Sequence, residues 1–82
     1  MDLVALTEFL VKSVVKQPDM VKVKQFDDVE DVINIQVLVS ADDMSSVIGK
    51  AGRVANSIRT IVQAASYVVD KDKKVKINID SF

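Results

Sequence analysis

Two glycines three residues apart interrupt a helical stretch of this chain, in the heptapeptide VIGKAGR at residues 47–53. Apolar residues at helical spacing precede the interruption, and a longer helical pattern follows it. Glycine is common just beyond a helix C-terminus, where the backbone turns left-handed. The heptapeptide therefore predicts a tight turn between two helices, in which Gly49 ends the first helix and Gly52 opens the second.

The same turn has the features of a phosphate-binding loop. Glycines allow a phosphodiester to approach the backbone, and N–H groups at a helix start, at the positive end of its dipole, attract an anion. Arg53 falls in the first helical turn, where a cation costs about 0.3–1 kcal/mol, so a bound anion would explain its position. Arg59 extends the positive track. An isolated GxxG is nevertheless common, and an ordinary helix–helix turn is the alternative interpretation.

Hydrophobic periodicity on the N-terminal side of the turn predicts one helix and a hairpin. Pro18 ends a helix predicted over residues 1–16, because proline lacks an N–H. The apolar stripe of this helix comprises Leu3, Leu6, Leu10 and Val14. Residues 20–26 and 32–39 alternate apolar and polar side chains around a short acidic turn, which predicts two antiparallel strands.

Two helices are predicted between this hairpin and a last strand. Ser40 and Asp43 have the spacing of a capping box, which starts the short helix that Gly49 ends. The helix after Gly52 should face the sheet with Val54, Ile58, Val62, Ala65 and Val69. Residues 75–79 alternate again and predict the last strand.

The order α-β-β-α-α-β restricts the topology of this α+β domain, which spans residues 1–82. A crossover of two helices places the last strand parallel to the second, by a right-handed connection. We therefore expect a three-stranded mixed sheet with the helices packed on one face. The opposite face should be polar and carry Lys22, Lys24, Asn34, Gln36, Lys74 and Lys76.

Composition excludes several classes of function. The 82 residues include no Cys and no His, which argues against zinc, thiol and imidazole chemistry, and we expect no metal or cofactor. Net charge is −1, but residues 1–48 carry four Lys against nine acids, whereas residues 49–82 carry seven Lys or Arg against three. No apolar run approaches a membrane span and no signal pattern is present, so a soluble cytoplasmic protein is expected.

The heptapeptide, followed by Ile58-Arg59, resembles the signature of the KH domain, in which a GxxG loop clamps the backbone of about four nucleotides. The added N-terminal helix and strand resemble the type II arrangement. More narrowly, nearly the whole chain is similar to the small bacterial KH proteins of the KhpA (YlqC) family. The shared features include Gln17-Pro18-Asp19 before a Val-Lys-Val strand.

This resemblance implies an RNA chaperone or post-transcriptional regulator that binds single-stranded RNA. Bases would lie in a groove beside the loop-bearing helices, supported by the second strand. The implied RNA-binding residues are Ile48, Gly49, Lys50, Ala51, Gly52, Arg53 and Arg59. The family resemblance also implies self-association and pairing with a larger Jag-type KH protein, KhpB.

Two other classes of protein are less consistent with these residues. An enzyme is disfavoured, because the P-loop lysine and hydroxyl pattern and any Ser–His pair are missing. A protein–protein adaptor that has lost RNA binding is the remaining alternative, since no aromatic residue lies by the loop.

The second long helix also carries surplus apolar surface. One flank of it runs at helical spacing, and we expect a two-fold homodimer there unless the first helix covers it. This flank comprises Ser57, Ile61, Ala64 and Val68.

Overall fold

The computed structural model describes residues 2–82 and shows the predicted order of elements. The helices and strands are α1 (Leu3–Lys12), β1 (Lys22–Phe26), β2 (Val32–Val39), α2 (Met44–Ile48), α3 (Arg53–Val69) and β3 (Lys74–Ser81). Short 3-10 turns lie at Pro18–Met20, Ala41–Asp43 and Lys50–Gly52. The chain is thus an α+β fold in which α2 and α3 connect β2 to β3.

The sheet has the strand order β1-β2-β3, with β2 in the centre. β1 pairs antiparallel with β2, placing Lys24 opposite Gln36. β2 pairs in parallel with β3, placing Ile35 opposite Ile77. Both predicted strand orientations are confirmed, and the free edges of the sheet belong to β1 and β3.

The core lies between the helices and one face of the sheet. Alternate residues of β2 point into it, because side chains along a strand alternate between faces. The buried residues of β2 are Ile33, Ile35, Val37 and Val39. Val47 of α2 and Val62 of α3 are fully buried in the same core, and Ile58 of α3 is nearly so. Within residues 2–82, no helix combines the length and apolar character that crossing a bilayer requires.

The first helix is shorter than predicted and is rotated about its axis. It ends at Lys12 rather than residue 16, and its buried stripe is Leu3, Thr7 and Val11. The expected stripe is only partly right, since Val14 lies beyond the helix and is 38% exposed. Thr7 can be buried because its hydroxyl donates to the Leu3 carbonyl oxygen at 2.7 Å.

Asp43 explains why the chain leaves the helix early. Its carboxylate is buried and accepts the backbone N–H groups of Lys16 and Gln17, at 3.0 Å each. The expected capping box is therefore wrong in part: Ser40 accepts the N–H of Asp42 at 3.3 Å, but Asp43 does not reach back to Ser40. Both carboxylate oxygens of Asp43 are instead bound by the backbone after α1.

The face that α3 presents to the sheet is also shifted from the prediction. The buried residues are Ala55, Ile58, Val62 and Ser66. Val69 is 53% exposed, and Val54 and Ala65 are half-buried at the side. Small side chains at Ala55 and Ser66 allow the helix to lie close to the sheet. The more apolar residues that were expected to face the sheet, including Val54, Ala65 and Val69, face partly outward.

Candidate nucleic-acid interface

The turn between α2 and α3 contains three residues that depart from helical backbone geometry. Gly49 has φ 77° and ψ 176°, Ala51 has φ 56° and ψ 27°, and Gly52 has φ 76° and ψ 11°. Gly49 is thus not in the left-handed helical region expected of it. That region is occupied by Ala51 and Gly52, so the turn reverses direction over residues 49–52.

The two glycines are required for different reasons. A Cβ on Gly49 would lie 2.8 Å from Val54 Cβ and 2.9 Å from Val54 N. Both distances are shorter than the nonbonded contacts that a Cβ atom makes in proteins. A Cβ on Gly52 would meet nothing nearer than Asn56 Nδ2 at 3.9 Å. Gly49 therefore lets the turn pack on α3, while the space over Gly52 stays open to a ligand.

Part of the backbone hydrogen-bonding capacity of the turn is already used within it. The Gly49 N–H donates to the Ser45 carbonyl oxygen at 2.8 Å, and the Gly52 N–H donates to that of Gly49 at 3.2 Å. The Arg53 N–H donates to the Lys50 carbonyl oxygen. Fewer backbone N–H groups are therefore free to bind a phosphate than the sequence indicated. Side chains would have to provide more of the contacts to any bound phosphate.

The cations of the turn are accessible and have no carboxylate partner. Lys50, Ala51 and Arg53 are exposed, whereas Ile48 is half-buried at the base of the turn. The one ion pair among residues 2–82 joins Lys12 to Glu8 at 2.7 Å. Lys50 and Arg53 therefore present positive charge to solvent on both sides of the open space at Gly52.

Side chains of α3 approach the free edge of β3. The Arg59 Nε donates to the Ile77 carbonyl oxygen at 3.3 Å, and its Nη1 donates to Asn56 Oδ1 at 3.2 Å. One helical turn later, Gln63 Oε1 accepts the Val75 N–H at 3.0 Å. Arg59 is thus held beside the sheet edge, with its charge still exposed.

A shallow depression, the α3–β3 groove, follows this edge. It is lined by Arg59, Thr60, Gln63, Ala64, Tyr67 and Val75. Tyr67 is 62% exposed at the end of the groove far from the turn. The groove and the turn share one side of α3, because residues 56, 59, 60, 63 and 67 recur at helical spacing.

The α3–β3 groove runs along β3, whereas a groove supported by the second strand was expected, and of its lining residues only Arg59 was among the expected RNA-binding residues. β2 is central and hydrogen-bonded on both sides, so β3 provides the open edge. Gln63 and Tyr67 were missed, although both follow Arg59 at multiples of four residues on the same helix face. Val47 is buried in the core, where its packing role was expected.

The predicted apolar flank of α3 is exposed. Ile61 is 46% and Val68 is 80% exposed, and Ser57 and Ala64 are also exposed. Leu10 of α1 and Val14, which follows it, line a depression together with Ser57 and Ile61 of this flank, and both of these flank residues remain exposed. The first helix therefore does not cover it.

An α-β-β-α-α-β fold whose two central helices are joined by a GxxG turn is a type II KH domain. The family model of the KhpA/KhpB KH domain matches residues 4–79. The chain belongs to this family, as its resemblance indicated.

Curated relatives agree with this assignment. The "RNA-binding protein KhpA" of Clostridium perfringens is 42% identical over 74 residues, covering 90% of this chain and 95% of the relative. That of Caldanaerobacter subterraneus is 41% identical over 69 residues, covering 84% and 87%. That of Borreliella burgdorferi is 32% identical over 74 residues, covering 90% and 89%.

Solved structures of the protein Era share the fold. Aquifex aeolicus Era bound to GDP and AlF4⁻ superposes with a TM-score of 0.70 at 12% identity, over 98% of this chain and 30% of the Era chain. Era in complex with MgGDPNP and a segment of 16S ribosomal RNA superposes with a TM-score of 0.64 at 13% identity, over 96% and 29%. At such identities the likeness concerns the fold alone.

Proposed function

We propose that this protein binds single-stranded RNA, with the turn at residues 49–52 contacting phosphates and the α3–β3 groove receiving bases. The observation that carries the proposal is the pair of unpaired, exposed cations, Lys50 and Arg53, around the open space over Gly52. The naming of the KhpA relatives as RNA-binding proteins supports it.

The groove supplies chemistry that suits bases rather than phosphates. The Thr60 hydroxyl and Gln63 amide of the groove, and the Asn56 amide beside it, are of the type that pairs with base edges. Tyr67 offers a ring for stacking. Arg59 lies between them and the sheet edge, where its guanidinium can contact a phosphate or a base plane. With few cations at the turn and one aromatic residue in the groove, this site binds RNA with modest affinity.

We further propose that the protein acts without catalysis, as an RNA chaperone or post-transcriptional regulator in the cytoplasm. A small domain that holds a few nucleotides in extended form would prevent local pairing, since bound bases are unavailable for a duplex. The pairing of KhpA and KhpB in the family description supports KhpB, a larger KH protein, as a second partner.

A homodimer through the exposed flank of α3 is part of this proposal. Ile61 and Val68 supply apolar contact, while small side chains at Ser57 and Ala64 allow a second helix to come close. A two-fold axis pairs the same flank with itself, which satisfies both copies at once. The α3–β3 groove borders this flank, because Ala64 lines both, but Arg59, Gln63 and Val75 line the groove on the side toward β3.

The double variant Lys50→Asp/Ala51→Asp tests the turn. Both positions are exposed, and Asp tolerates the left-handed conformation at residue 51 at least as well as Ala, so the fold should be retained. Negative charge facing phosphate should weaken RNA binding by well over tenfold, or about 1.4 kcal/mol per decade. Filter binding of single-stranded RNA measures the affinity, and circular dichroism the fold.

A matched control makes the same change in charge elsewhere. Ala5→Asp/Lys71→Asp alters two exposed positions away from the turn, and its affinity for RNA should stay within a few-fold of the wild type. Unchanged affinity in the turn variant would refute the assignment of the turn. If the wild type itself does not bind RNA, the adaptor alternative is favoured.

A further inference from the structure

The outer face of the sheet, turned away from the helices, carries charge of one sign. Lys22 and Lys24 project from β1, and Lys74 and Lys76 project from β3, with all four side chains exposed. Asp80, near the end of β3, is the one acid among strand residues on this face. In a chain with 12 acids and 11 bases, such local segregation has to be accounted for.

These lysines are not neutralised within the domain. The ion pair between Lys12 and Glu8, on α1, is the one that residues 2–82 contain, so none of the four lysines is paired with a carboxylate. Asp28, at the rim, instead accepts the Asn34 side-chain N–H at 3.1 Å. The positive charge of the outer face is therefore available to an anion.

Protection of sheet edges explains these lysines only in part. Charged residues on β1 and β3, lysine in particular, discourage edge-to-edge pairing with other chains. Edge protection leaves unexplained the residues that lie between the lysines. There, β2 and β3 place Gln36 beside Asn78, and Phe26 is 49% exposed on β1. Cations with amides and an aromatic ring between them are typical of surfaces that bind single-stranded nucleic acid.

The outer face begins where the α3–β3 groove ends. The Ile77 carbonyl oxygen accepts from Arg59 in the groove, and its neighbours Lys76 and Asn78 project to the other face of the same strand. Register places Lys24 opposite Gln36 and Gln36 opposite Asn78, so the far edge lies about 10 Å away across two strand spacings. A chain leaving the groove over the edge of β3 meets this face directly.

We propose that the outer face is a second RNA-binding surface, which contacts the backbone of a single strand that extends beyond the groove. The inference rests on the proposed function, because the groove holds the first nucleotides of that strand. Lys76 and Lys24 contact successive stretches of phosphate on opposite edges of the sheet. RNA longer than the groove therefore binds more tightly than RNA that only fills it.

The experiment compares full-length wild type with Lys24→Gln/Lys76→Gln. Fluorescence anisotropy is measured with random-sequence, labelled single-stranded RNA of four and of twelve nucleotides, over a range of salt concentrations. The matched control, Lys12→Gln/Lys71→Gln, removes the same charge from α1 and from the turn before β3. Circular dichroism verifies that each variant is folded.

The variant should bind the short RNA as the wild type does and the long RNA about tenfold more weakly. Its log–log salt slope with long RNA should be smaller in magnitude by about 1.4, since each phosphate contact on a single strand contributes about 0.7. The control should retain the wild-type affinity and slope for the long RNA. This combination would establish the second surface.

Other outcomes overturn the inference in distinguishable ways. If short RNA binds but the two variants respond equally to long RNA, the outer face is a solvated surface and the proposed function stands. If wild type binds neither RNA, the proposed function and the inference fail together. If wild type shows no length effect but floats with phosphatidylglycerol vesicles in a Lys24- and Lys76-dependent way, the face binds a membrane instead.

Discussion

Gly49 and Gly52 are both glycines of the GxxG turn, but each is required for a different structural reason. Gly49 combines φ 77° with ψ 176°, a region of backbone space that is essentially restricted to glycine. It also touches Val54 so closely that a Cβ has no room. Gly52 needs only a left-handed conformation, which other residues adopt at moderate cost.

Alanine substitution at each position should distinguish these two requirements. Gly49→Ala combines backbone strain with overpacking against Val54 and should lower the free energy of unfolding by at least about 3 kcal/mol. Gly52→Ala should cost about 1–2 kcal/mol, because only the left-handed conformation is strained. Urea unfolding followed by circular dichroism measures both. Equal losses in the two variants would contradict the packing of Gly49 on α3.

At the scale of elements, Asp43 joins segments that are remote in sequence. It lies at the start of α2, yet its two carboxylate oxygens accept N–H groups from Lys16 and Gln17, which follow α1. The contact fixes where α1 stops and anchors the helix that leads into the GxxG turn. Its burial makes the hydrogen bonds costly to lose, since no water replaces them.

Asp43→Asn should lower the free energy of unfolding by about 1.5–3 kcal/mol. The amide retains one acceptor oxygen but points an NH₂ group at the second backbone donor, leaving a buried mismatch. The exposed neighbour provides the control: Asp42→Asn should change stability by less than about 0.5 kcal/mol. Thermal or urea unfolding measures the stability of the two variants. Similar stabilities would show that the Asp43 hydrogen bonds do not stabilise the fold as proposed.

At the scale of the whole molecule, the exposed flank of α3 bears on assembly. Ile61→Asp should give a folded monomer at concentrations where wild type is a dimer, because the variant buries an unpaired charge in the proposed interface. Light scattering after gel filtration measures the mass. Val29→Asp is the control: Val29 is similarly exposed but lies in the turn between β1 and β2, and the variant should remain dimeric. A wild type that is monomeric at high micromolar concentration refutes the proposed dimer.

Some features of the whole molecule follow from the chain alone, because their signals are local. Alternation in residues 32–39 identifies a strand buried on one face, and glycines at positions 49 and 52 identify the break between α2 and α3. The order of elements, with a two-helix crossover between β2 and β3, then predicts that these two strands are parallel. Exposure of Lys50 and Ala51 also follows, since both lie in a turn.

Other features were decided by tertiary contacts, which no local pattern encodes. The end of α1 depends on the Asp43 carboxylate, which binds the N–H groups of residues 27 and 26 positions before it, Lys16 and Gln17. This contact overrides an apolar period that continues past Lys12. The rotation of α3 depends on how closely it approaches the sheet, which favours Ala55 and Ser66 over the more apolar Val69. The groove itself exists because Arg59 and Gln63 meet the open edge of β3. Periodicity measures how apolar a face is, whereas close packing and buried hydrogen bonds determine which face is used.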